Sequence, residues 1–381
     1  MTTAKAALKK LNDIKDSLQG YFIERDDAVE GLFLSLISKQ NMLLLGPPGT
    51  AKSMLVNKFA EFIDDGSHFE YLLTKFTVPE ELFGPVSLKG LKEDRYERVT
   101  RNKLPEAKFV FLDEIWKANS SILNSLLTAV NERIFFNGTK KQRIPLRMLV
   151  GASNEYPQDN SLSALYDRFM LKYWVDYIND DSSFSALLRL EDIKVETKLT
   201  EEDIEAIQQQ EVKWPTDIEE LLLEIKGVLK KENFIFSDRK WVSVVKLVTA
   251  AAQLKGRDTV LREDFAILSS CLWHEHKDRH IVVSLIEKTI DPFESRIKEL
   301  EDQLVEIMAP VKSLNIKEEV VAKGLHSVID IFVQTMKNIN LLQSKAETLK
   351  DSPKKKKLLN IIEIDKSTIE TLTVTTTMSG T

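Results

Sequence analysis

The chain has 381 residues, 43% of them hydrophobic, with 53 basic against 59 acidic side chains and a formal net charge of -6. That length has room for two or three domains, and the acidic balance excludes the broadly basic surface on which tight, non-specific nucleic-acid binding rests. The single cysteine, Cys271, excludes an internal disulfide framework and suits a reducing compartment. No run approaches the ~18 apolar residues of a membrane span, and the amphipathic N-terminus lacks a signal-like apolar stretch, so a cytoplasmic protein with no transmembrane segment is expected.

In chain order, Ala28 to Ile37 is strongly apolar at helical spacing, and Asn41 to Leu45 (NMLLL) is a short buried-strand run. It opens onto Gly46-Pro47-Pro48-Gly49-Thr50-Ala51-Lys52-Ser53, after which Ala51 to Ile63 repeats apolar residues every three or four positions. Further strands are predicted at Phe69 to Leu73, Lys108 to Leu112 (KFVFL), Leu146 to Ala152 and Leu171 to Val175. Leu123 to Val130 reads as a helix, and Asn137-Gly138 signals a hairpin within Ile134 to Ile144. Apolar strands alternating with helices predict a parallel sheet covered on both faces.

From about residue 180 to 285 the pattern is helical throughout. Beyond Pro292, the spacing of Phe293, Ile297, Leu300, Leu304 and Ile307 is a heptad that Pro310 is expected to break, and a second amphipathic run follows from Leu325 to Leu342. The pair predicts an antiparallel helical hairpin over 286–350. Residues 351–381, with Lys354 to Lys357 and a threonine-rich end, read as a polar and partly disordered tail.

The stretch GPPGTAKS matches the phosphate-loop pattern G-x-x-x-x-G-K-[ST] except that Ala51 replaces the second glycine. Such a loop points backbone N–H groups and a helix N-terminus at phosphates. Lys52 is expected to reach the β- and γ-phosphates and Ser53 to ligate Mg²⁺, with Met54 following in the helix. A methyl group at Ala51 is expected to require a right-handed backbone, just inside that helix. Asp113-Glu114 ends the strand FVFLD as an ATPase acidic pair does: Asp113 for the Mg²⁺ shell and Glu114 to polarise the attacking water. Asn154 ends another strand and offers a polar group near the γ-phosphate.

The combined set resembles the AAA+ ATPases, and the G-x-P-G-x-A-K-[ST] loop resembles their MoxR branch. LLLGPPGTAKS, FTVPEELFGPVSL, LPEAKFVFLDEIWKANSSILNSLLTAVNER, ASNE, ALYDRF and SDRKW are most similar to the RavA-type subgroup, over about Leu11 to His276. The resemblance implies an AAA+ core over 1–180 with a five-stranded parallel sheet flanked by helices. An all-α lid over 181–285 follows, then the C-terminal helical hairpin or bundle.

It implies binding of ATP or ADP with Mg²⁺ at Gly46 to Met54, with adenine-side contacts around Ile23, Glu24 and Arg25. Arg168 is implied as an arginine finger toward a neighbouring subunit, and Arg239 as a sensor-2 arginine toward nucleotide in its own subunit. Arg133 is implied to touch the adjoining protomer. The segment of about 80–103 resembles a helix-2 insert that projects into the ring's pore, and 133–146 a hairpin before the sensor-1 strand. The basic hairpin tip, Thr139 to Arg143, is either a solvated turn or a contact for an acidic partner, nucleic acid included. A hexameric ring and a partner with a von Willebrand factor A domain are further implications. Competing readings are a nucleic-acid-stimulated motor and a nucleotide-bound scaffold. Cys271 with His274, and His276 with His280, have the spacing of zinc half-sites, though no motif completes a shell.

Overall fold

The computed structural model describes residues 3–64, 67–157, 162–190, 195, 197–315 and 324–379, which fall into two compact units, Met1–Val282 and Val283–Thr381. In the first unit, helices α1 (Ala4–Tyr21) and α2 (Asp26–Ser38) lead into strand β1 (Asn41–Leu45) and helix α3 (Lys52–Glu61). Strands β2 (Ile63–Asp64) and β3 (His68–Leu72) and the short helices α4 (Pro79–Phe83) and α5 (Leu88–Lys92) precede β4 (Phe109–Asp113) and α6 (Ser120–Glu132). A hairpin, β5 (Ile134–Asn137) and β6 (Lys140–Arg143), then leads to β7 (Met148–Ser153), α7 (Ser163–Tyr166) and β8 (Phe169–Trp174).

The main sheet is five-stranded in the order β3-β4-β7-β1-β8, and every pairing in it is parallel. Its strands read as apolar runs because both faces are covered: Met42 to Leu45, Phe111, Leu112 and Leu149 are all buried. The register places Leu45 beside Ser153 and Leu72 beside Asp113, so the carboxyl ends of four strands lie level. That edge is where open parallel sheets carry their ligands.

The lid continues with α8 (Asp181–Leu187), β9 (Leu199–Thr200), α9 (Glu201–Gln208), α10 (Thr216–Lys231), α11 (Asp238–Leu254) and the start of α12 (His276–Ile290). The expectation of helices alone needs one addition, since β9 pairs in parallel with β2 of the core. Lys10 on α1 pairs with the fully buried Asp203 on α9 at 2.5 Å, and this holds the amphipathic first helix, through Ala7, Leu11, Ile14 and Leu18, onto the body.

Lys172 of β8 is buried with its ammonium 4.6 Å from the ring centres of both Tyr166 and Trp273, and it donates to the Trp273 carbonyl. Burial holds its pKa well below the usual lysine value, with the charge of Lys240 acting the same way. The folded protein therefore binds fewer protons than the unfolded chain, and stability should rise with pH between the lowered folded value and about 10.4, by up to ~1.4 kcal/mol per pH unit. Urea midpoints should climb as pH is raised toward 10 in the wild type and flatten in Lys172→Met.

The second unit is built from the end of α12 and from α13 (Pro292–Lys312), α14 (Leu325–Glu347) and α15 (Pro353–Ser379). Two expectations are corrected here. Pro310 does not break the heptad helix, which runs on to Lys312; one lost backbone bond in the last turn is outweighed by burial of Met308 and Val311. The polar tail is a third helix, so the hairpin is a three-helix bundle. Leu358, Ile362 and Ile369 of α15 join Leu300, Leu304, Val328, Phe332 and Ile339 in one core. Its threonines turn their hydroxyls onto carbonyls four residues back, as Thr373 does to Ile369 at 2.7 Å. Lys355 is buried rather than solvated, and it donates to the Glu347 and Leu349 carbonyls that α14 leaves unpaired at its end.

Candidate ATP site

The loop Gly46–Ser53 joins the end of β1 to the start of α3. Gly46 has φ +144, and a Cβ there would stand 2.0 Å from the Val175 carbonyl oxygen, so only glycine lets the loop pass β8. Lys52 is buried, and its ammonium donates to the carbonyls of Gly46 (2.8 Å) and Pro47 (2.7 Å) and to Asn154 Oδ1 (3.0 Å). The amine thus fills the cradle that the loop forms. Burial lowers its pKa, against the raising influence of Asp113 and Glu114. Thr50 closes the turn by donating to the Pro47 carbonyl at 3.0 Å, while Met54 stands half exposed on α3.

Ser53 donates to Asp113 Oδ2 at 2.6 Å, and Asp113 Oδ1 accepts from the Glu114 backbone N–H at 2.9 Å. Glu114 takes its Oε1 bond from the amide of Asn154, and its Oε2 lies 3.3 Å from Lys117. Lys52, Asn154 and Glu114 therefore form one continuous chain of polar contacts across the ends of β1, β7 and β4. Serine and carboxylate oxygens converging in this way are the hard-oxygen donors that Mg²⁺ takes, so the residues fit that ion.

The backbone of Ala51 corrects the sequence reading. Its φ is +64, left-handed, and it is the N-cap of α3 rather than a residue inside it. The usual glycine of the pattern is thereby explained, and alanine bears strain in its place. Glu114, which ends the polar chain from Lys52, is left-handed as well at φ +52, and stored strain of this kind is characteristic of functional sites. Relief of about 1–2 kcal/mol of strain, offset by about 0.4–1 kcal/mol of glycine's unfolded-state entropy, should leave Ala51→Gly slightly more stable with nucleotide binding intact. A urea titration paired with nucleotide titration calorimetry checks both, and lost binding would show that the methyl group itself is needed.

Ile23 is half buried in the turn between α1 and α2. Beside it a pocket of about 350 Å³ is lined by Glu24, Arg25, Trp174, Val175, His276 and Arg279. Glu24 accepts from the backbone N–H groups of Asn179 (3.0 Å) and Asp180 (3.3 Å), which hold its carboxyl below the usual range. Trp174 lies between Tyr156 and His276, with centroids 6.1 and 4.7 Å away. The sequence reading missed Trp174, His276 and Arg279, because nothing in local spacing tells that α12 returns to β8. Cys271 is buried, its thiol pushed up to about 12, and His274 stacks on Phe236 at 4.9 Å, away from His276. Among the described residues, no cluster of three or more His, Cys, Asp or Glu side chains is arranged to hold a metal ion.

Arg168 directly precedes β8, and its carbonyl accepts from the side chain of Asn41, the first residue of β1, at 3.3 Å. It therefore sits at the amino ends of the strands, with the phosphate loop at the carboxyl ends. A five-residue strand separates the two by about 16 Å at ~3.3 Å per residue. Arg239 corrects its expected place: it lines the same amino-end pocket, with Arg168, Lys39, Arg133, Arg143 and Lys246, and does not approach the loop of its own subunit. The Arg168 Nε is buried without a hydrogen-bond partner, and burial, then the charge of Arg239, lowers its pKa. Lys240 pairs with Asp167 at 3.2 Å, fixing the start of α11 against the arginine turn. Arg133 lines the same pocket and donates within the subunit to the carbonyls of Lys39 (2.7 Å) and Leu146.

Residues 9–215 match the family model described as the MoxR domain in the MoxR-vWA-beta-propeller ternary systems, and residues 217–286 match an AAA lid domain. This chain belongs to the MoxR family of AAA+ ATPases. Two uncharacterized proteins of Methanocaldococcus jannaschii are each 36% identical, one covering 90% of both chains and the other 82% of both. Chaperone MoxR1 of Mycobacterium tuberculosis is 24% identical over 64% of this chain and 68% of its own. A solved structure of a candidate ATPase from Cytophaga hutchinsonii shares the fold at a TM-score of 0.61 and 19% identity, covering 75% of this chain and 96% of that one. No helix among the described residues is long and apolar enough to cross a membrane.

Proposed function

We propose that this MoxR-family chain hydrolyses ATP in a closed ring, probed first as a hexamer, and uses turnover to remodel a client protein. The observation that carries the reading is the division of the site: the phosphate loop with Glu114 and Asn154 at one end of the sheet, and Arg168 and Arg239 together in a basic pocket at the other. An arginine finger is worth ~10³–10⁵ in turnover, and Arg168 and Arg239 can act on phosphate only across a boundary between subunits.

Binding exchanges the bonds from Lys52 to the Gly46 and Pro47 carbonyls for bonds to phosphate. The loop's N–H groups and the N-terminus of α3 then hold the phosphate charge. Glu114 accepts the proton of the attacking water, while Asn154, bonded to both Glu114 and Lys52, orients it. Ser53 and Asp113 would hold Mg²⁺, which when bound neutralises charge on the phosphate oxygens. The aromatic pocket beside Ile23 and Glu24 is the place for adenine.

Light scattering of the purified chain with a non-hydrolysable ATP analogue should give a six-copy mass, with ATPase activity tracking its assembly. Full activity in a dilute monomer would overturn the ring. The family description names von Willebrand factor A and β-propeller components, and MoxR1 is named a chaperone. These support a von Willebrand factor A partner that presents the client, to be tested by nucleotide-dependent co-purification.

A further inference from the structure

Two segments far apart in sequence meet and lock in the first unit. The Asn137 side chain accepts from the Arg98 backbone N–H at 2.6 Å and donates to the Arg98 carbonyl at 3.0 Å, so one amide satisfies both backbone groups of a residue 39 positions away. Gly138, at φ +63, passes so close to the Tyr96 carbonyl that a Cβ would stand 2.1 Å from it. Lys140 pairs with Glu97 at 3.0 Å, Val86 bridges Arg98 in antiparallel fashion, and Phe83 stacks on Phe135 with centroids 5.4 Å apart. Residues 80–103 and the hairpin 134–143 therefore form a single body.

That body has a charge opposite to the rest of the protein. It carries nine basic side chains against five acidic ones, in a chain of net charge -6. Three of the five carboxylates are already neutralised, Glu80 by Arg98, Glu93 by Arg95 and Glu97 by Lys140. Lys89, Lys92, Arg101 and Lys141 are exposed and have no ion-pair partner among the described residues. Apolar side chains stand out between them: Leu88 is 76% exposed, Phe136 57% and Tyr96 56%, with Leu91 and Val99 at 48%. Exposed apolar groups gathered with unpaired charge mark interaction surfaces.

We propose that the joined insert and hairpin are a docking surface for an acidic polypeptide segment carrying aliphatic side chains. The unpaired cations select the carboxylates, and Leu88, Leu91 and Val99 take the aliphatic groups. Single-stranded nucleic acid is drawn by positive charge too, but it is held by aromatic stacking platforms, and three of the five exposed apolar groups are aliphatic. The surface is separate from the nucleotide site and is read without hydrolysis, so failure here leaves the ATPase reading standing, and the reverse.

Fluorescence anisotropy of the full chain tests this with three labelled probes: a peptide of alternating Glu and Leu, its Lys-for-Glu counterpart, and oligo-dT of equal length. The Glu peptide should bind at least about tenfold more tightly than either, and more weakly as salt rises. The double variant Lys92→Glu/Lys141→Glu should lose about tenfold or more, while Lys230→Glu/Lys231→Glu on the exposed face of α10 keeps wild-type affinity. Both changed pairs are on the surface, and an unchanged thermal melt confirms that the fold is intact. Tightest binding of oligo-dT would make the body a nucleic-acid surface and overturn the proposal. Equal affinity for the two peptides, no binding of any probe, or indifference to the charge reversal would overturn it as well.

Discussion

Glu114→Gln is expected to leave ATP bound and to slow its hydrolysis by about 10²–10⁴, the usual contribution of a positioned general base. Glutamine keeps the shape of the side chain and an oxygen for the Asn154 amide, which donates to Glu114 Oε1 in the wild type. It cannot take the proton of the attacking water. The left-handed backbone at Glu114, φ +52, is equally available to both residues, so the loop and the bond from Ser53 to Asp113 at 2.6 Å are undisturbed. Single-turnover phosphate release beside equilibrium nucleotide binding separates the two effects. Release within about tenfold of wild type would assign the base to another group.

The second large effect concerns two inactive variants that restore each other. Arg168→Ala and Lys52→Ala should each lose about 10³-fold or more in turnover, one lacking the cation at the amino ends of the strands and the other the phosphate-binding amine. Mixed together, an Arg168→Ala subunit with an intact loop can border a Lys52→Ala subunit with an intact arginine, completing one site at that boundary. ATPase activity of the mixture should rise well above the sum of the separate variants and peak near equal proportions. Additive activity at every ratio would show that Arg168 does not serve a neighbour. Arg239→Ala should behave as Arg168→Ala does in the same assay, because the two line one pocket away from the subunit's own loop.

Much of the core was legible because its signals are local. A buried strand in a parallel sheet must be apolar throughout, and Asn41–Leu45 is assigned as a strand at the same limits that its composition indicates. A phosphate loop needs its lysine and hydroxyl at fixed offsets, and Asn137-Gly138 forms its hairpin turn through local backbone preference, with β5 and β6 on either side. Ala51 was misjudged because a side-chain rule was applied where the loop, held by Lys52 and passing Val175, dictates the backbone. The last helix was missed because threonine is a poor helix former by itself. Burial of Leu358, Ile362 and Ile369 against two other helices overrides that preference.

The succession of strands along the chain, the chemistry carried at the ends of β1, β4 and β7, and the kinship with MoxR ATPases follow from the sequence by itself, because each is written in contiguous residues whose meaning does not depend on distant ones. Only the tertiary structure decided which groups face the same cleft: that His276 and Arg279 return to Trp174, that Asn154 links Lys52 to Glu114, and that Arg239 joins Arg168 at the far end of the sheet. Those proximities come from the path of the chain between elements, about 16 Å of strand in one case and a whole lid in the other. Motif spacing carries no record of that path.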